Sequence, residues 1–254
     1  GVAQRNLAFR CGVSSHLVPN VMDFDTGPDE PDDTARSMRA ALDIPGDHTL
    51  LLQPTRIVPR KRIERTIELA AQMERPATIL VTHKAGDEGL DYRDYLVRLA
   101  DQLGVDIRFA SERFGQRRER KTDGGDINRF SLADAYRNAD LVCYPSAIEG
   151  FGNAFLETIF YRKPILLSAY EIFKADIEPK GFRVLQFDEY ISRQTVEAAS
   201  ALLDDPERVA RWTRQNYKLG CDFYSFRNLE ERLANIIHYI RLFSSSRTGN
   251  GPTA

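Results

Sequence analysis

Short apolar segments alternate with amphipathic ones through most of the chain. Residues 49–53 (Thr-Leu-Leu-Leu-Gln) and 77–82 (Ala-Thr-Ile-Leu-Val-Thr) are apolar or β-branched runs, typical of buried parallel strands. Between them, residues 62–73 carry apolar side chains at helical spacing. This alternation predicts strand–helix units of roughly 30 residues, and hence a parallel sheet with right-handed crossovers.

The same pattern continues to the C-terminus and defines the predicted fold class. That class is α/β: a doubly wound, mostly parallel, Rossmann-like sheet with extra C-terminal helices. It occupies residues 1–243, and a disordered tail is predicted at 244–254. Further strands are predicted at 16–22, 105–109, 141–144, 164–168 and 182–185; helices at 5–12, 36–42, 92–103, 131–137, 153–160, 192–203, 206–219 and 229–240; and loops at 23–33 and 110–128.

Composition and charge narrow the classes of function. Charged residues make up 28% of the chain and the net charge is −2, which gives no electrostatic case for nucleic-acid binding. The basic run at 113–121 is interrupted by acidic residues and is interpreted as a solvated loop. No apolar run approaches the roughly 20 residues of a membrane-spanning helix. No signal peptide is visible, so no membrane-spanning segment is predicted.

The cysteines and the first residue bear on location and completeness. Cys11, Cys143 and Cys221 are odd in number and far apart, without a CxxC pair. This favours reduced thiols and a cytoplasmic protein. The chain begins at Gly1 without a methionine, so we expect a fragment of a longer polypeptide.

Basic side chains follow the strand at 49–53. Ligands of doubly wound sheets bind outside the carboxyl ends of the strands, so the loops after Gln53, Thr82, Phe109 and Pro145 should share one rim. Positive charge at a helix start is unfavourable, and an anionic ligand would offset it. Arg56 can grip a phosphate as a planar fork and Lys61 as a point charge, although a solvated helix start remains the simpler alternative.

A glycine-rich elbow follows the strand at 141–144. Glu149 and Glu157 flank it, and Gly150 and Gly152 allow close approach of the backbone to a ligand. Backbone N–H groups at the helix start can face phosphate, while carboxylates accept hydrogen bonds from sugar hydroxyls. A tight turn with two solvated glutamates is the alternative. Together with the basic loop, the elbow favours a site for a phosphorylated, hydroxyl-rich ligand.

Other candidate groups carry less weight. Asp23-Phe24-Asp25 spells Asp-x-Asp, a pattern that can hold a divalent metal through hard oxygen ligands, but here it lies in a turn and is interpreted as structural. The histidines have no metal-ligand spacing, and His83, which follows a strand and could line the cleft, is interpreted as a bystander. We therefore predict no metal and no cofactor.

In their order along the chain, these motifs resemble the donor-binding domain of retaining glycosyltransferases of the GT-B architecture. The resemblance is to the family 4 group, which includes sucrose-phosphate synthases and bacterial mannosyltransferases. That group has a Pro-Asn-x-x-Asp turn, then Gly-Arg-x4-Lys-Gly, then Glu-x7-Glu. The matching residues here are Pro19, Asn20 and Asp23, then Arg56 and Lys61, then Glu149 and Glu157, while Thr55 and Arg62 replace the two flanking glycines.

The resemblance implies a role for each motif. Arg56 and Lys61 would bind the donor diphosphate and stabilise its charge as it leaves, and Glu149 would contact the transferred sugar. Glu157 would hold the ribose, and the base would lie near the loop after Phe109. The substrate would be a UDP- or GDP-linked hexose. The donor-binding elbow residues would be Gly150, Phe151, Gly152, Asn153 and Ala154.

The resemblance also implies a partner and leaves alternatives open. The N-terminal acceptor-binding domain of a GT-B enzyme is absent from this sequence, and the last helix would cross back to it with its apolar face partly exposed. One alternative is a nucleotide-sugar-binding module or scaffold subunit without transferase activity. Another is a GT-B-like nucleotide-sugar epimerase, which needs acid and base groups around the sugar. A receiver-like domain would need an acidic cluster where Gln53 stands.

Overall fold

A computed structural model describes residues 1–86, 90–120 and 127–247, and it confirms the predicted α/β fold. The strands are β1 (Thr49–Gln53), β2 (Ala77–Val81), β3 (Asp106–Phe109), β4 (Phe114–Gly115), β5 (Glu119–Arg120), β6 (Ile127–Ser131), β7 (Leu141–Tyr144), β8 (Ile165–Ser168) and β9 (Leu185–Phe187). The helices are α1 (Val2–Cys11), α2 (Asp33–Ala41), α3 (Glu64–Gln72), α4 (Leu90–Leu103), α5 (Leu132–Asn138), α6 (Asn153–Phe160), α7 (Arg193–Leu203), α8 (Pro206–Tyr224) and α9 (Phe226–Arg247).

The central sheet is parallel and has the order β3-β2-β1-β7-β8-β9. The chain steps outward from β1 to β3, then returns to the other side of β1 and steps outward again from β7 to β9. Leu51 pairs with Leu141 and Leu52 with Val142 where the two halves meet. The strand order therefore reverses between β1 and β7, which is where such sheets open a ligand crevice.

Each face of the sheet packs on its own hydrophobic core. Leu50 and Leu52 of β1 join one core with α6, while Leu51 joins the other with α3, and all three leucines are fully buried. A strand covered on both faces has no polar side, which explains why β1 is a continuous apolar run rather than an alternating one.

The strand predicted at 182–185 is displaced in the structure to β9. Asn216 on α8 accepts a hydrogen bond from the Arg183 backbone N–H at 2.7 Å and donates one to its carbonyl oxygen at 2.7 Å. The backbone groups of residue 183 are therefore occupied by a side chain and are not available to the ladder. Pairing with β8 begins only at Leu185.

Two other local predictions are wrong. Residues 16–22 do not form a strand: they run beside the C-terminal helices, and only Met22 makes an isolated bridge, to Ser225. The predicted loop at 110–128 contains instead β4, β5 and the start of β6, which form a small sheet of order β4-β6-β5. Strands β4 and β5 have only two residues each and therefore show no sequence period. Residues 121–126 of that loop lie outside the described residues.

The C-terminal helices are longer than predicted. Helix α8 continues to Tyr224, Ser225 interrupts it in an extended conformation, and α9 runs from Phe226 to Arg247. The predicted tail at 244–254 thus begins inside a helix, and its residues 248–254 lie outside the described residues. Within the described part of the chain, no helix is long and apolar enough to cross a membrane.

The turn that contains Phe24 packs against α8 through a close contact at Gly220. A Cβ atom at this position would lie 2.6 Å from Phe24 Cε1 and 3.2 Å from Ile159 Cγ2. Phe24 itself is 2% exposed and stacks edge-on against Tyr217, with ring centroids 5.4 Å apart. Only a residue without a side chain allows this ring to reach the helix backbone.

We predict that Gly220→Ala lowers the free energy of unfolding by about 1–3 kcal/mol, the usual cost of overpacking. In an open helix the same change would be stabilising by about 1 kcal/mol, because glycine is the poorer helix former. Chemical denaturation monitored by circular dichroism measures the difference. Gly46→Ala is the matched control, since nothing lies within 4 Å of its added methyl group. Equal stability of the two variants would contradict the packing argument.

Candidate functional site

A cavity of about 500 Å³ opens at the carboxyl edge of the sheet, where the strand order reverses. Loops following β1, β2 and β7 contribute its walls. The structure brings every predicted site residue into this cavity. They are Arg56, Lys61, Glu149, Gly150, Phe151, Gly152, Asn153, Ala154 and Glu157.

A buried ion pair joins two walls of the cavity. Lys61 Nζ contacts Glu149 Oε1, and the two side chains are only 10% and 9% exposed. The ammonium also lies 5.4 Å from the centre of the Tyr144 ring, a cation–π contact. Each charge is shielded from water and is compensated by the other. Loss of either partner would therefore leave a buried charge without a counter-ion.

The loop after β1 is held in a fixed shape. Gln53 donates to the Thr55 hydroxyl at 2.8 Å and accepts from the Thr66 hydroxyl at 2.8 Å, and all three residues are buried. Lys61 then ends a 3-10 turn, Pro59–Lys61. Arg62 follows with φ 49° and ψ 45°, the left-handed conformation that glycine adopts without strain. At Arg62 the loop thus keeps a glycine-like backbone although an arginine replaces the family's glycine.

Backbone contacts lock this loop to the loop after β7. Ala147 N–H donates to the Arg60 carbonyl oxygen at 2.9 Å. On the far side, the Ser168 hydroxyl donates to the carbonyl oxygen of Ser146. Because both loops are tied through their main chains, the side chains of Lys61 and Glu149 are presented from a common rigid frame.

The elbow before α6 depends on Gly152. Its φ is 95°, and a Cβ atom would lie 3.0 Å from the Tyr170 hydroxyl and 3.1 Å from Tyr144. Tyr170 also donates to the Phe151 carbonyl oxygen at 3.1 Å, which fixes the turn. No side chain of the described residues caps α6, so N–H groups at its start are available to an anionic ligand.

Asn20 completes the elbow from a distant part of the sequence. Its amide donates to Asn153 Oδ1 at 2.6 Å, which brings the Pro-Asn-x-x-Asp turn to the start of α6. Asn20 also lines the cavity, although sequence reasoning did not select it as a site residue. The only signal for it was its place in a motif far from the others.

Glu157 lies on α6 and faces the cavity in a half-buried position. Tyr136 donates to its Oε2 at 2.6 Å. Burial raises the pKa of Glu157, and the hydrogen bond from Tyr136 only partly opposes this. Tyr136 engages one carboxylate oxygen, so the other is available to hydroxyl groups of a ligand.

His83 also lines the cavity, in the position that its place after a strand allowed. It follows β2 directly, so its place at a strand end was the available signal. An adjoining cavity of about 300 Å³ shares His83 and Leu132 with the first. The rest of its wall comes from Thr82, Lys84, Ser111, Phe114, Gly115 and Gln116, beside the loop that follows Phe109.

The Asp-x-Asp segment lies away from these cavity walls. Asp23 Oδ1 accepts from the Thr26 N–H at 3.3 Å and closes a local turn. Among residues 1–86, 90–120 and 127–247, no group of three or more His, Cys, Asp or Glu side chains could hold a metal ion.

Comparison with known proteins places this geometry in a family. The model of "Glycosyl transferases group 1" matches residues 124–219. The chain is 30% identical over 262 residues to mannosylglucosylglycerate synthase of Thermotoga maritima, covering 92% of this chain and 58% of that protein.

Two solved structures share the fold. Anabaena HepE in complex with UDP superposes with a TM-score of 0.71 at 15% identity, covering 88% of this chain and 57% of HepE. The C-terminal domain of a group 1 glycosyl transferase from Francisella tularensis superposes with a TM-score of 0.59 at 18% identity, covering 80% of this chain and 98% of that domain.

The chain spans 58% of the length of the curated relative from Thermotoga maritima. Its sheet has the strand order of a doubly wound fold, and its motifs occur in the order of the family 4 group. Together with the matches above, these findings show that the chain belongs to the GT-B glycosyltransferases of the family 4 type and corresponds to their C-terminal domain.

Proposed function

We propose that this chain is the donor-binding half of a retaining glycosyltransferase, which transfers a hexose from a UDP- or GDP-linked sugar to an acceptor hydroxyl. The observation that carries the proposal is the buried Lys61–Glu149 pair, set between Arg56 and the uncapped start of α6. A nucleoside diphosphate sugar offers an anion to the lysine and hydroxyl groups to the glutamate. Each buried charge then exchanges one partner for another.

The proposed chemistry centres on the departing diphosphate. Arg56 is exposed on the cavity wall, so its guanidinium can reach a phosphate without breaking an internal contact. Lys61 and the N–H groups at the start of α6 add positive potential from two further directions. Catalysis then consists of positioning the sugar and stabilising the negative charge that develops on its leaving group.

Engagement of both carboxylates supports the retaining mechanism. Among the described residues that line the cavity, Glu149 is bound by Lys61 and Glu157 by Tyr136. With the donor bound, sugar hydroxyls would replace Lys61 at Glu149, so neither carboxylate is left free as a general base for an acceptor hydroxyl. We infer that the leaving phosphate itself accepts that proton, on the face of the sugar from which it departs, so that the anomeric configuration is kept.

The nucleoside end of the donor would extend from Glu157 into the adjoining cavity. A carboxylate accepts two hydroxyl hydrogen bonds, which suits a ribose. The base would then lie beside Phe114 and Leu132. HepE was solved with UDP, and the Thermotoga maritima relative is named for a mannosyl product, so uridine and guanosine donors are both candidates.

The acceptor substrate would bind to a separate N-terminal domain. Large apolar side chains are exposed on α1 and α9: Phe9 is 93% exposed and Ile237 is 49% exposed. We propose that these exposed side chains contact the acceptor domain, so that the chain alone binds the donor but catalyses the transfer slowly.

We propose that the reaction uses no metal, because the cationic groups of the cavity supply the positive charge. We also propose a cytoplasmic location.

The first test is calorimetric titration of the chain with UDP, GDP and ADP and with their glucose or mannose conjugates. We expect saturable binding of one nucleotide and a loss of about tenfold or more in affinity for Arg56→Ala, since one charge-assisted hydrogen bond contributes about 1.5–3 kcal/mol. The melting temperature should be unchanged because Arg56 is exposed. Equal affinity of the variant and the wild type would refute the assignment. Release of an epimerised nucleotide sugar would favour the epimerase.

A second prediction concerns the buried pair. Lys61→Met should lower the free energy of unfolding by about 3–5 kcal/mol, because it leaves the Glu149 carboxylate without a counter-ion while its side chain is only 9% exposed. The double variant Lys61→Met/Glu149→Gln should recover most of this loss. Neither variant should bind the nucleotide tightly. If the single and double variants melt alike, the pair makes no electrostatic contribution to stability.

A third prediction separates stability from binding at Glu157. Glu157→Gln keeps an acceptor for Tyr136 and removes a carboxylate whose pKa is raised by burial. The variant should therefore melt at a higher temperature than the wild type at pH 7.5 and bind the nucleotide about 10–100-fold more weakly.

The pH dependence of this stability difference has a fixed sign. A carboxyl with a raised folded-state pKa stabilises the protein while protonated, and that stability is lost as pH rises through the folded pKa. The variant's advantage should vanish below pH 4.5, the ordinary pKa of the group, and grow above it. Glu74→Gln, at the other end of the sheet, is the control. Lower stability of Glu157→Gln than of the wild type at neutral pH would contradict the argument.

A further inference from the structure

His83 lies in a cavity whose wall also carries basic side chains. It lines the same cavity as Arg56 and Lys61, at the carboxyl end of β2. The Thr82 hydroxyl lies 3.0 Å from its Nδ1, which leaves Nε2 as the ring nitrogen for a ligand. The positive charges of the arginine and the lysine disfavour a protonated histidine beside them.

The surroundings of this imidazole favour its neutral form over its protonated form. Burial lowers the pKa of His83, and the charges of Lys61 and Arg56 lower it further. Its chain neighbour Lys84 is paired at 2.9 Å with Glu112, which belongs to the turn facing the adjoining cavity. That pair therefore offers no free carboxylate to the ring.

The remaining charged groups of the cavity do not compensate the ring either. Arg60 adds a further positive charge to the wall. Glu149 is engaged by Lys61, and Glu157 is engaged by Tyr136. Within the described cavity wall, an anion that would hold a proton on His83 has to come from the ligand.

We propose that His83 is a third cationic ligand of the donor diphosphate and that its Nε2 takes up a proton from solvent when the diphosphate binds. This inference rests on the proposed function of the site. The entering phosphates reverse the local charge, and an imidazolium then forms a charge-assisted hydrogen bond to them. No covalent bond changes in this step: one proton moves from solvent to the ring.

The same contact favours the leaving group over the intact donor. When the sugar–phosphate bond breaks, its electron pair stays on the phosphate oxygen, and the freed terminal phosphate gains a negative charge, since its second ionisation lies near pH 6. A protonated His83 should therefore bind the nucleoside diphosphate more tightly than the nucleotide sugar. Interactions that strengthen as the charge develops accelerate the reaction.

Calorimetry in two buffers tests proton uptake directly. UDP and GDP are titrated at pH 7.5 in HEPES and in Tris, whose ionisation enthalpies differ, so that the difference in observed heat counts protons. The wild type should take up a fraction of a proton that is absent in His83→Gln. The variant should bind the diphosphate about 10-fold or more weakly and lose less affinity for the nucleotide sugar. His238→Gln, an exposed position on α9, is the matched control.

Proton NMR identifies the group that titrates. The imidazole signal missing from His83→Gln is assigned to His83 and followed against pH. Its midpoint should lie below 6.5 in the free protein and rise when the nucleotide is added. A purely structural role for His83 would lower affinity equally at every pH and leave proton uptake intact.

The outcomes separate this inference from the proposed function. Nucleotide binding that is sensitive to Arg56→Ala, but occurs without proton uptake or a rise in the His83 midpoint, overturns the inference and leaves the function standing. Absence of binding by UDP, GDP and ADP overturns both. Proton uptake that persists in His83→Gln assigns the proton to another group and also overturns the inference.

Discussion

Strands β1 and β7 are neighbours in the sheet, but the helices that follow them pack on opposite faces. Ile67 of α3 lies in one core and Phe155 of α6 in the other. The two loops must therefore diverge as they leave the carboxyl edge, and the space between them is the cavity. Right-handed crossovers make this divergence unavoidable once the strand order reverses. The Lys61–Glu149 pair bridges the gap that the topology creates.

Several charged groups of the cavity have an internal partner, and this determines how the cavity can bind a ligand. Lys61 pairs with Glu149, Tyr136 donates a hydrogen bond to Glu157, and burial lowers the pKa of His83. For Lys61, Glu149 and Glu157 a ligand would therefore replace an existing partner, whereas Arg56 and Arg60 are exposed on the cavity wall. The loops are tied through their main chains, so the site needs little rearrangement when a ligand binds.

Local pattern was sufficient for some parts of the molecule. The apolar runs of β1, β2 and β7 are covered on both faces, so composition alone identifies them. Arg56, Lys61 and the elbow residues follow those strands directly, which places them at one edge. Their roles toward a donor, by contrast, rest on the family resemblance and remain predictions. The displaced β9, set by Asn216 at 2.7 Å from Arg183, could not be predicted, because the contact joins residues 33 positions apart. Asn20 and Tyr136 entered the site through similarly distant contacts.

The turn at Phe24 is closed by residues from the far end of the chain. Tyr217 donates to the Phe24 carbonyl oxygen across 193 positions, and Gly220 receives the Phe24 ring. A contact of such sequence separation forms late in folding, since the intervening loop must first be closed. During synthesis, α8 must leave the ribosome before the turn at Phe24 can form its contacts. We expect the contact of Asn20 with α6 to form after that. The sheet can assemble on the nascent chain, whereas the finished wall of the cavity is the last part to appear.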